Sequence, residues 1–421
     1  MLESTESLLP SPISSSSGKL RVLCTGEEES SLSELEQLLI TLGVEPVGRI
    51  FMTSRRISPA TYIGLGKVQE LKLESEKLEA EAVIVDVELS PNQLRNLEKS
   101  IGKPVLDRPG VIIEIFSRHA RTKEAKTQVE LARLEYLLPR LAHFWTHFER
   151  QRGGIGMKGM GEKQIEVDRR LVKRRISVLH DRLKAIERER KVQRAGRSDV
   201  FKVALVGYTN SGKSTLLNAL TQSDVRAENK LFATLDASVR SLDPHSHPPI
   251  VMIDTVGFIS RLPPSLVASF RSTLEELHQA DLLLHIVDGS SPQAKEQLEV
   301  TEKILNDLKI GDKPRIAVIN KSDLIKGRAK NLIRLIAPGA LVISSFDSKD
   351  LSRLRDEILK HFRQEMEVWE VVIPYSDSKL EAQLHNFGLI EKTRHLEKGT
   401  FYRVRIDAGR ARKLELSRYR T

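Results

Sequence analysis

Cysteine is almost missing from this chain. Cys24 is its only one, which excludes an internal disulfide framework and fits a reducing compartment. Long apolar runs are missing as well. No stretch approaches the roughly 18 unbroken apolar residues of a membrane span, so no transmembrane segment is expected. The opening Met1-Leu2-Glu3-Ser4-Thr5-Glu6 is acidic and resembles neither a secretory signal nor a transit peptide. A cytoplasmic address is the expectation. The basic end of the chain lacks an amphipathic aromatic face, which argues against peripheral membrane docking.

At 421 residues the chain exceeds one hydrophobic core and is expected to divide into domains. Apolar residues at 40% and charged residues at 29% place it among ordinary soluble globular proteins. Basic residues number 67 against 57 acidic ones, a formal net charge of +10. A sequence pI near 9.5 favours polyanionic partners such as nucleic acid or a ribonucleoprotein. The chain is read as a monomer.

Residues 1–18 are Ser- and Pro-rich and read as a disordered leader. Over 19–116, short apolar runs alternate with helical patterns, the signature of a small α/β domain with a largely parallel sheet. Val22-Leu23, Pro46-Val47, Ala82 to Val85 and Val111-Ile112-Ile113 are the strand candidates, with helices at 32–42, 67–81 and 93–100 between them. Ser90 as N-cap and Pro91 at the first helical position open the third helix.

Over 117–198 the pattern changes. Leu131, Leu134, Leu138, Leu141, Trp145 and Phe148 form one stripe, and Val172, Ile176, Leu179, Leu183 and Ile186 another. Such spacing predicts two antiparallel helices packed as a protruding arm, the first kinked at Pro139. The second helix exposes a basic face that includes Arg169, Arg170, Lys173, Arg174 and Arg175, fit for phosphate contacts. Between the helices runs Arg152-Gly153-Gly154-Ile155-Gly156-Met157-Lys158-Gly159-Met160-Gly161. It has more glycine than a turn needs, and its backbone can lie flat on a surface. Arg152, Gly153, Gly154, Gly156, Lys158, Arg169, Arg170 and Lys173 are the candidate RNA contacts.

Residues 199–364 read as a second α/β domain. The strand Lys202 to Val206 runs into Gly207-Tyr208-Thr209-Asn210-Ser211-Gly212-Lys213-Ser214-Thr215 and then a helix. This is the strand–loop–helix setting of a phosphate loop, in which backbone N–H groups cradle phosphate, Lys213 supplies charge and Ser214 ligates Mg²⁺. Leu231-Phe232-Ala233-Thr234-Leu235-Asp236 follows, with Thr234 placed to ligate the same Mg²⁺. A further strand ends in Asp254-Thr255-Val256-Gly257, where Asp254 reaches the metal through water and the Gly257 N–H meets the γ-phosphate. Asn320-Lys321-Ser322-Asp323 ends another strand, and the Asp323 carboxylate can accept from guanine N1–H and N2–H, which adenine cannot match. Ser344-Ser345-Phe346 occupies the last base-contacting loop. Taken together, the motifs imply a Mg²⁺-dependent GTP hydrolase with Lys213, Thr234 and Gly257 at the reacting phosphate. Phe258 stands where a glutamine often orients the attacking water. His245 and His247 are replacements only by default. Residues 365–421 read as a small basic module: a strand at 368–374, a helix capped at Ser378, and a hairpin around Lys398-Gly399.

The fold class is therefore α/β, a P-loop GTPase domain preceded by a small α/β domain with a helical-hairpin arm and followed by a small α+β C-terminal module. The chain resembles the HflX family of ribosome-associated GTPases. The resemblance rests on the run Ala60 to Val68, Leu89 to Gln93, Asp107-Arg108, Gln128 to Ala132, Leu138 to Leu141, Arg152 to Gly156, Gly161-Glu162, Asp168 to Arg170, Phe232 to Asp236 and Asp254 to Ile259. It departs at Met160 and Ala237, where the family has proline, and at Ser345, where alanine is common. The resemblance implies binding to the large ribosomal subunit and its RNA, splitting or rescue of stalled ribosomes under stress, and hydrolysis stimulated by the ribosome. It also implies a glycine-rich tip near the peptidyl-transferase region. Some members show ATP hydrolysis tied to the N-terminal domain, but no second phosphate loop is present here. The alternative is a ribosome-assembly or RNA-remodelling GTPase.

Overall fold

A computed structural model describes residues 19–52, 57–141, 160–195, 200–221, 231–232, 238–243, 249–261, 276–325 and 336–420. Two compact units result. One comprises Met1–Arg188 with Asn229–Leu235 and Arg261–Arg271, and the other Glu189–Glu228, Asp236–Ser260 and Ser272–Thr421.

The first unit begins with alternating elements: β1 (Arg21–Gly26), α1 (Glu29–Thr41), β2 (Glu45–Phe51), α2 (Leu65–Lys77), β3 (Ala82–Val85), α3 (Pro91–Ile101), β4 (Val105–Asp107), α4 (Arg108–His119) and α5 (Lys123–Leu137). Its strands pair in parallel in the order β2-β1-β3-β4, over a core that includes Leu23, Val83, Leu71 and Leu97. Ser90 and Gln93 form a full capping box at α3, and Gly102 closes the helix with φ 81°. Cys24 lies buried in β1, where burial first, then the charges of Glu36 and Asp86, push its thiol up to about 12.

Val111-Ile112-Ile113, expected as a strand, belongs to α4 instead. An unbroken apolar run fits a buried strand or a buried helix equally. Here Asp107 decides, because its side chain accepts from Gly110 N at the N-cap while Pro109 fills the first turn. The same carboxylate accepts from Tyr136 Oη (2.6 Å), Leu89 N (3.2 Å) and Arg140 Nη2 (3.2 Å). Burial raises the Asp107 pKa against the pull of Arg140. One strand further in, Asp86 accepts from Arg108 Nη1 at 2.6 Å and from the Ser31 hydroxyl, and Glu34 pairs with Arg108 Nη2. Arg261 also reaches Asp86, at 3.5 Å, and Glu28, at 3.6 Å, while Phe232 meets Phe116 edge-on with ring centroids 4.7 Å apart.

At Pro139 the helix is interrupted: α5 stops at Leu137, a 3-10 turn spans Leu138–Arg140, and Leu141 is helical again, with the residues after it outside those described. Across from α5 lies α6 (Met160–Ala195), a helix of 36 residues, about 54 Å at 1.5 Å per residue. Leu131 and Leu134 of α5 pack against Val172, Ile176, Leu179 and Leu183 of α6. Arg175, expected on the basic face, instead crosses the seam to Glu130 at 2.8 Å. Trp145, Phe148 and the glycine-rich connection up to Gly159 fall outside the described residues, while Met160 and Gly161, expected in the connection, are already helical at the start of α6.

The second unit holds β5 (Phe201–Gly207), α7 (Lys213–Thr221), β6 (Ser238–Ser241), β7 (Ile250–Asp254), β8 (Leu282–Asp288), α8 (Ala294–Asp307), β9 (Arg315–Asn320), β10 (Leu341–Val342) and α9 (Ser348–Glu365). Its six-stranded sheet has the order β10-β9-β8-β5-β7-β6, parallel except where β6 runs antiparallel to β7. The order turns around β5, which places a crevice at the carboxyl ends of the strands. Leu216, Leu217 and Leu220 of α7 and Leu354, Ile358 and Phe362 of α9 share one core with Leu205, Leu284 and Ile286.

The chain closes with β11 (Glu367–Ile373), α10 (Ser378–Phe387), β12 (Leu389–Leu396), β13 (Gly399–Ile406) and α11 (Ala408–Lys413). Its antiparallel sheet has the order β11-β13-β12 over Val371, Leu384, Tyr402 and Val404. The cap of α10 is Asp377, which accepts from Leu380 N, and not the expected Ser378. The Arg410 guanidinium lies over the Phe201 and Phe387 rings at 5.0 and 5.4 Å, fixing the module to the start of β5.

On the face of β8 opposite Leu284 and Ile286 sits His285, 2% exposed, with no partner for Nε2 among the described residues. Burial first, then Arg315 and Lys213, pushes its imidazole down from 6.5 to about 4. Between those values the unfolded chain holds the extra proton, so stability falls as the pH falls from about 6.5 to 4, by up to about 3 kcal/mol. His285→Leu should flatten this acid limb. Urea midpoints measured from pH 4.5 to 7.5 should separate increasingly from the parent as the pH drops, and parallel curves would place the acid sensitivity elsewhere.

Candidate functional site

The site is built at the carboxyl ends of β5, β7 and β9, from backbone turns that only particular residues tolerate. Gly207 adopts φ 152°, and a Cβ there would meet Ile286 O at 2.2 Å. Gly212 adopts φ 91°, with Asn320 Nδ2 only 2.3 Å from where a Cβ would stand. These two positions require glycine. Asn210 takes φ 60° between them, a region asparagine tolerates.

Lys213 begins α7 and is 6% exposed; its Nζ donates to Tyr208 O at 2.7 Å and to Gly207 O at 3.2 Å. Ser214 Oγ donates to Asp254 Oδ2 at 2.6 Å. A hydroxyl and a carboxylate side by side are hard oxygen donors, the chemistry a Mg²⁺ ion requires, so these residues fit the expected metal. Thr255 and Val256 are buried, and the Thr255 hydroxyl donates to Leu205 O at 2.6 Å, which anchors the turn rather than facing it. Gly257 is pressed against the phosphate loop: a Cβ there would stand 2.8 Å from Thr209 Cα and 2.9 Å from Lys213 Nζ. Phe258 extends this contact, with Thr209 N donating to Phe258 O (2.7 Å) and Phe258 N to Gly207 O (3.0 Å). Ser260 N donates to Tyr208 Oη at 2.8 Å.

The base-side loops are tied to the same turn. Asn320 Nδ2 donates to Ser211 O at 3.0 Å, and Lys321 Nζ donates to Asn210 O and to Asp288 Oδ2, both at 2.8 Å. Ser344 Oγ donates to Asp323 Oδ1 (2.7 Å) and Ser345 Oγ to Asn320 Oδ1 (2.9 Å). Ser345 thus gains a bond that alanine could not make. Ser322 N donates to Ile343 O at 3.0 Å, joining the two loops through backbone. Phe346 projects from them at 83% exposure.

Gly207 to Thr215, Asp254 to Gly257, Asn320 to Asp323 and Ser344 to Phe346 therefore lie on loops bonded to one another or directly joined to them. Phe232 is buried against Phe116 in the first unit. Ala233, Thr234, Leu235, Asp236, His245 and His247 fall outside the described residues, as do Arg152, Gly153, Gly154, Gly156 and Lys158. Arg169, Arg170 and Lys173 are exposed on α6, Arg170 with Glu166 at 2.7 Å. Asp288 is the residue the motifs missed. A carboxylate ending a buried apolar strand was the available signal.

Comparison with known proteins accounts for nearly the whole chain. Residues 29–117 match the family described as GTP-binding GTPase N-terminal, 119–197 the GTP-binding GTPase Middle Region, and 202–321 a 50S ribosome-binding GTPase. The GTPase HflX of Caldanaerobacter subterraneus subsp. tengcongensis is 41% identical over 391 residues, covering 91% of this chain and 89% of its own. The chain belongs to the HflX family of GTPases. The GTPase HflX of Flavobacterium psychrophilum is 49% identical over 295 residues, 70% of this chain and 71% of its own. Among solved structures, a GTP-binding protein from Sulfolobus solfataricus in complex with GDP is 26% identical, covering 82% of this chain and 99% of its own at a TM-score of 0.43. As an HflX GTPase with a P-loop fold, this protein is a GTP hydrolase. No helix among the described residues is long and apolar enough to cross a membrane.

Burial pushes the Lys213 ammonium down from 10.5 to about 8, with Asp254 opposing and Lys321 adding to it. Below about pH 8 the folded HflX chain carries a desolvated charge, and it gains stability as the pH rises from about 8 to 10.5, where the unfolded chain is the more protonated. Lys213→Met should therefore raise the melting temperature of the nucleotide-free protein at pH 7, by an amount worth up to about 3 kcal/mol, and lose the further rise that GDP gives the parent. A nucleotide-free Lys213→Met protein less stable than the parent at pH 7 would contradict this account.

Proposed function

We propose that this HflX GTPase binds the large ribosomal subunit and splits or rescues stalled ribosomes, its GTP hydrolysis stimulated by the ribosome. The carrying observation is α6. Its apolar seam is satisfied against α5, so the exposed Arg169, Arg170, Lys173, Arg174, Arg182, Lys184 and Arg188 remain as a polyanion-facing surface on a 36-residue rod. Phosphate backbone is the partner such a surface fits. The 50S ribosome-binding description of the segment 202–321 supports the same reading.

In the nucleotide site, Lys213 holds oxygens of both the β- and γ-phosphates, the Gly257 N–H meets the γ-phosphate, and the phosphate-loop amides hold the β-phosphate. Ser214 and Thr234 would ligate Mg²⁺ directly and Asp254 would hold it through water, the bound metal supplying positive charge to the phosphates. Asp323 reads guanine, held in place by Ser344, and Lys321 lies against Asn210 at the edge of the loop. Arg152, Gly153, Gly154, Gly156 and Lys158 form the part of the arm that enters a confined RNA site. Peripheral membrane binding has no support in this surface.

Asp323→Asn should lose GTP affinity and gain affinity for xanthosine triphosphate, whose C2 oxygen needs a donor. Nucleotide titrations that still rank GTP first would remove Asp323 from base reading.

For the arm, replacing Arg169, Arg170 and Lys173 with Gln should weaken binding to purified large subunits and lower the salt slope by up to about one log–log unit per lost phosphate contact. Sucrose gradients of mature ribosomes run with GTP and with a non-hydrolysable analogue test the splitting itself. Intact ribosomes in both, with the protein on free large-subunit precursors, would move the function to ribosome assembly.

A further inference from the structure

Phe258 raises a chemical question. Its ring has no hydrogen-bonding group, it is 5% exposed, and its backbone is pinned by bonds to Gly207 O and from Thr209 N. A side chain held this way cannot orient the water that attacks GTP.

The residue across that backbone pairing is Thr209. It is 5% exposed, and its Oγ1 has no hydrogen-bond partner among the described residues. A buried hydroxyl without a partner is costly and is retained where a ligand completes it. Its position identifies the ligand. Thr209 Cα and Cγ2 lie 2.8 and 2.9 Å from the point where a Cβ on Gly257 would stand, and Lys213 Nζ lies 2.9 Å from the same point. The threonine Cα and methyl, the ammonium and the Gly257 turn therefore converge on one corner, with the hydroxyl one bond from that methyl's carbon neighbour, Cβ. The bond from Thr209 N to Phe258 O, 2.7 Å long, fixes the residue there through its backbone and leaves the hydroxyl uncommitted.

We propose that Thr209 is a catalytic residue, its hydroxyl holding the attacking water against the γ-phosphate of GTP. Thr209 Oγ1 accepts a hydrogen bond from the water, and its O–H donates a hydrogen bond to a γ-phosphate oxygen. The water oxygen forms a bond to the γ-phosphorus as the bond from that phosphorus to the β,γ-bridging oxygen breaks. One water proton passes to a phosphate oxygen, and the bridging electron pair leaves with GDP. Thr209 is neither oxidised nor deprotonated. The inference rests on the placement of the γ-phosphate between Lys213 and Gly257.

Thr209→Val keeps the shape and the methyl group but removes the hydroxyl; Thr209→Ser keeps the hydroxyl. Single-turnover GTP hydrolysis should slow by about ten- to a hundred-fold in the valine protein, with GDP affinity within about two-fold of the parent, and the serine protein should recover most of the rate. A valine protein that hydrolyses GTP as fast as the parent overturns the proposal. So does an equal loss of GDP affinity in both variants, which would make Thr209 a packing residue of the loop. Lys213→Ala tests the γ-phosphate placement separately: unchanged GTP affinity there would refute that placement, whatever the Thr209 proteins do.

Discussion

A single carboxamide holds the nucleotide site together. Asn320 is 1% exposed. Its Nδ2 donates to the carbonyl of Ser211 in the phosphate loop, and its Oδ1 accepts from Ser345 in the last loop. Backbone pairing holds it at the end of β9. Three loops that are far apart in sequence are thereby fixed to one planar group. Gly212 has to be glycine because that amide approaches so closely. Lys321, one residue on, repeats the tie through Asn210 O and Asp288. The loops proposed to read the base and to hold phosphate are thus parts of one hydrogen-bonded body, and motion of one loop loads the others.

Both units place carboxylates at the carboxyl ends of parallel strands, and they use them differently. Asp86 and Asp107 end β3 or lie just beyond it and end β4, and their oxygens are taken up by Arg108, Ser31, Arg140, Tyr136 and backbone N–H groups. Such a buried network specifies one arrangement of helices rather than adding much net stability. Asp254 and Asp288 stand at the ends of β7 and β8 beside a hydroxyl and an ammonium. Those are partners a metal ion or a nucleotide can share or displace. The same position in a parallel sheet thus serves as a structural lock in one unit and, in the proposed site, as a group set to face a ligand in the other.

The phosphate loop and NKSD were legible in the sequence because their chemistry demands fixed residue types at fixed spacing, Gly207 and Gly212 above all. The helix seam through Leu131, Leu134, Val172, Ile176 and Leu179 was legible because periodicity survives without context. Val111 to Ile113 was misread, since a buried apolar run has no period and its deciding partner, the Asp107 cap, acts through geometry. Ser378 yielded to Asp377 for the same reason: two adjacent polar residues can each cap, and backbone angles choose. Arg175 could not be told from its basic neighbours, because Glu130 lies 45 residues away in the chain. The Thr209 hydroxyl, without a hydrogen-bond partner among the described residues, left no trace in the sequence at all, since such a lack is visible only in the fold.

The lone thiol has a practical consequence. Cys24 is fully enclosed in β1 and held far from its ionised form, and only the thiolate reacts with alkylating probes. The native chain should therefore react only slowly with maleimides near neutral pH. A cysteine introduced anywhere on the arm or beside the nucleotide loops becomes a unique attachment point for a dye or a spin label without any prior substitution. Distance changes between the arm and the hydrolysis site could then be followed in an otherwise unaltered protein.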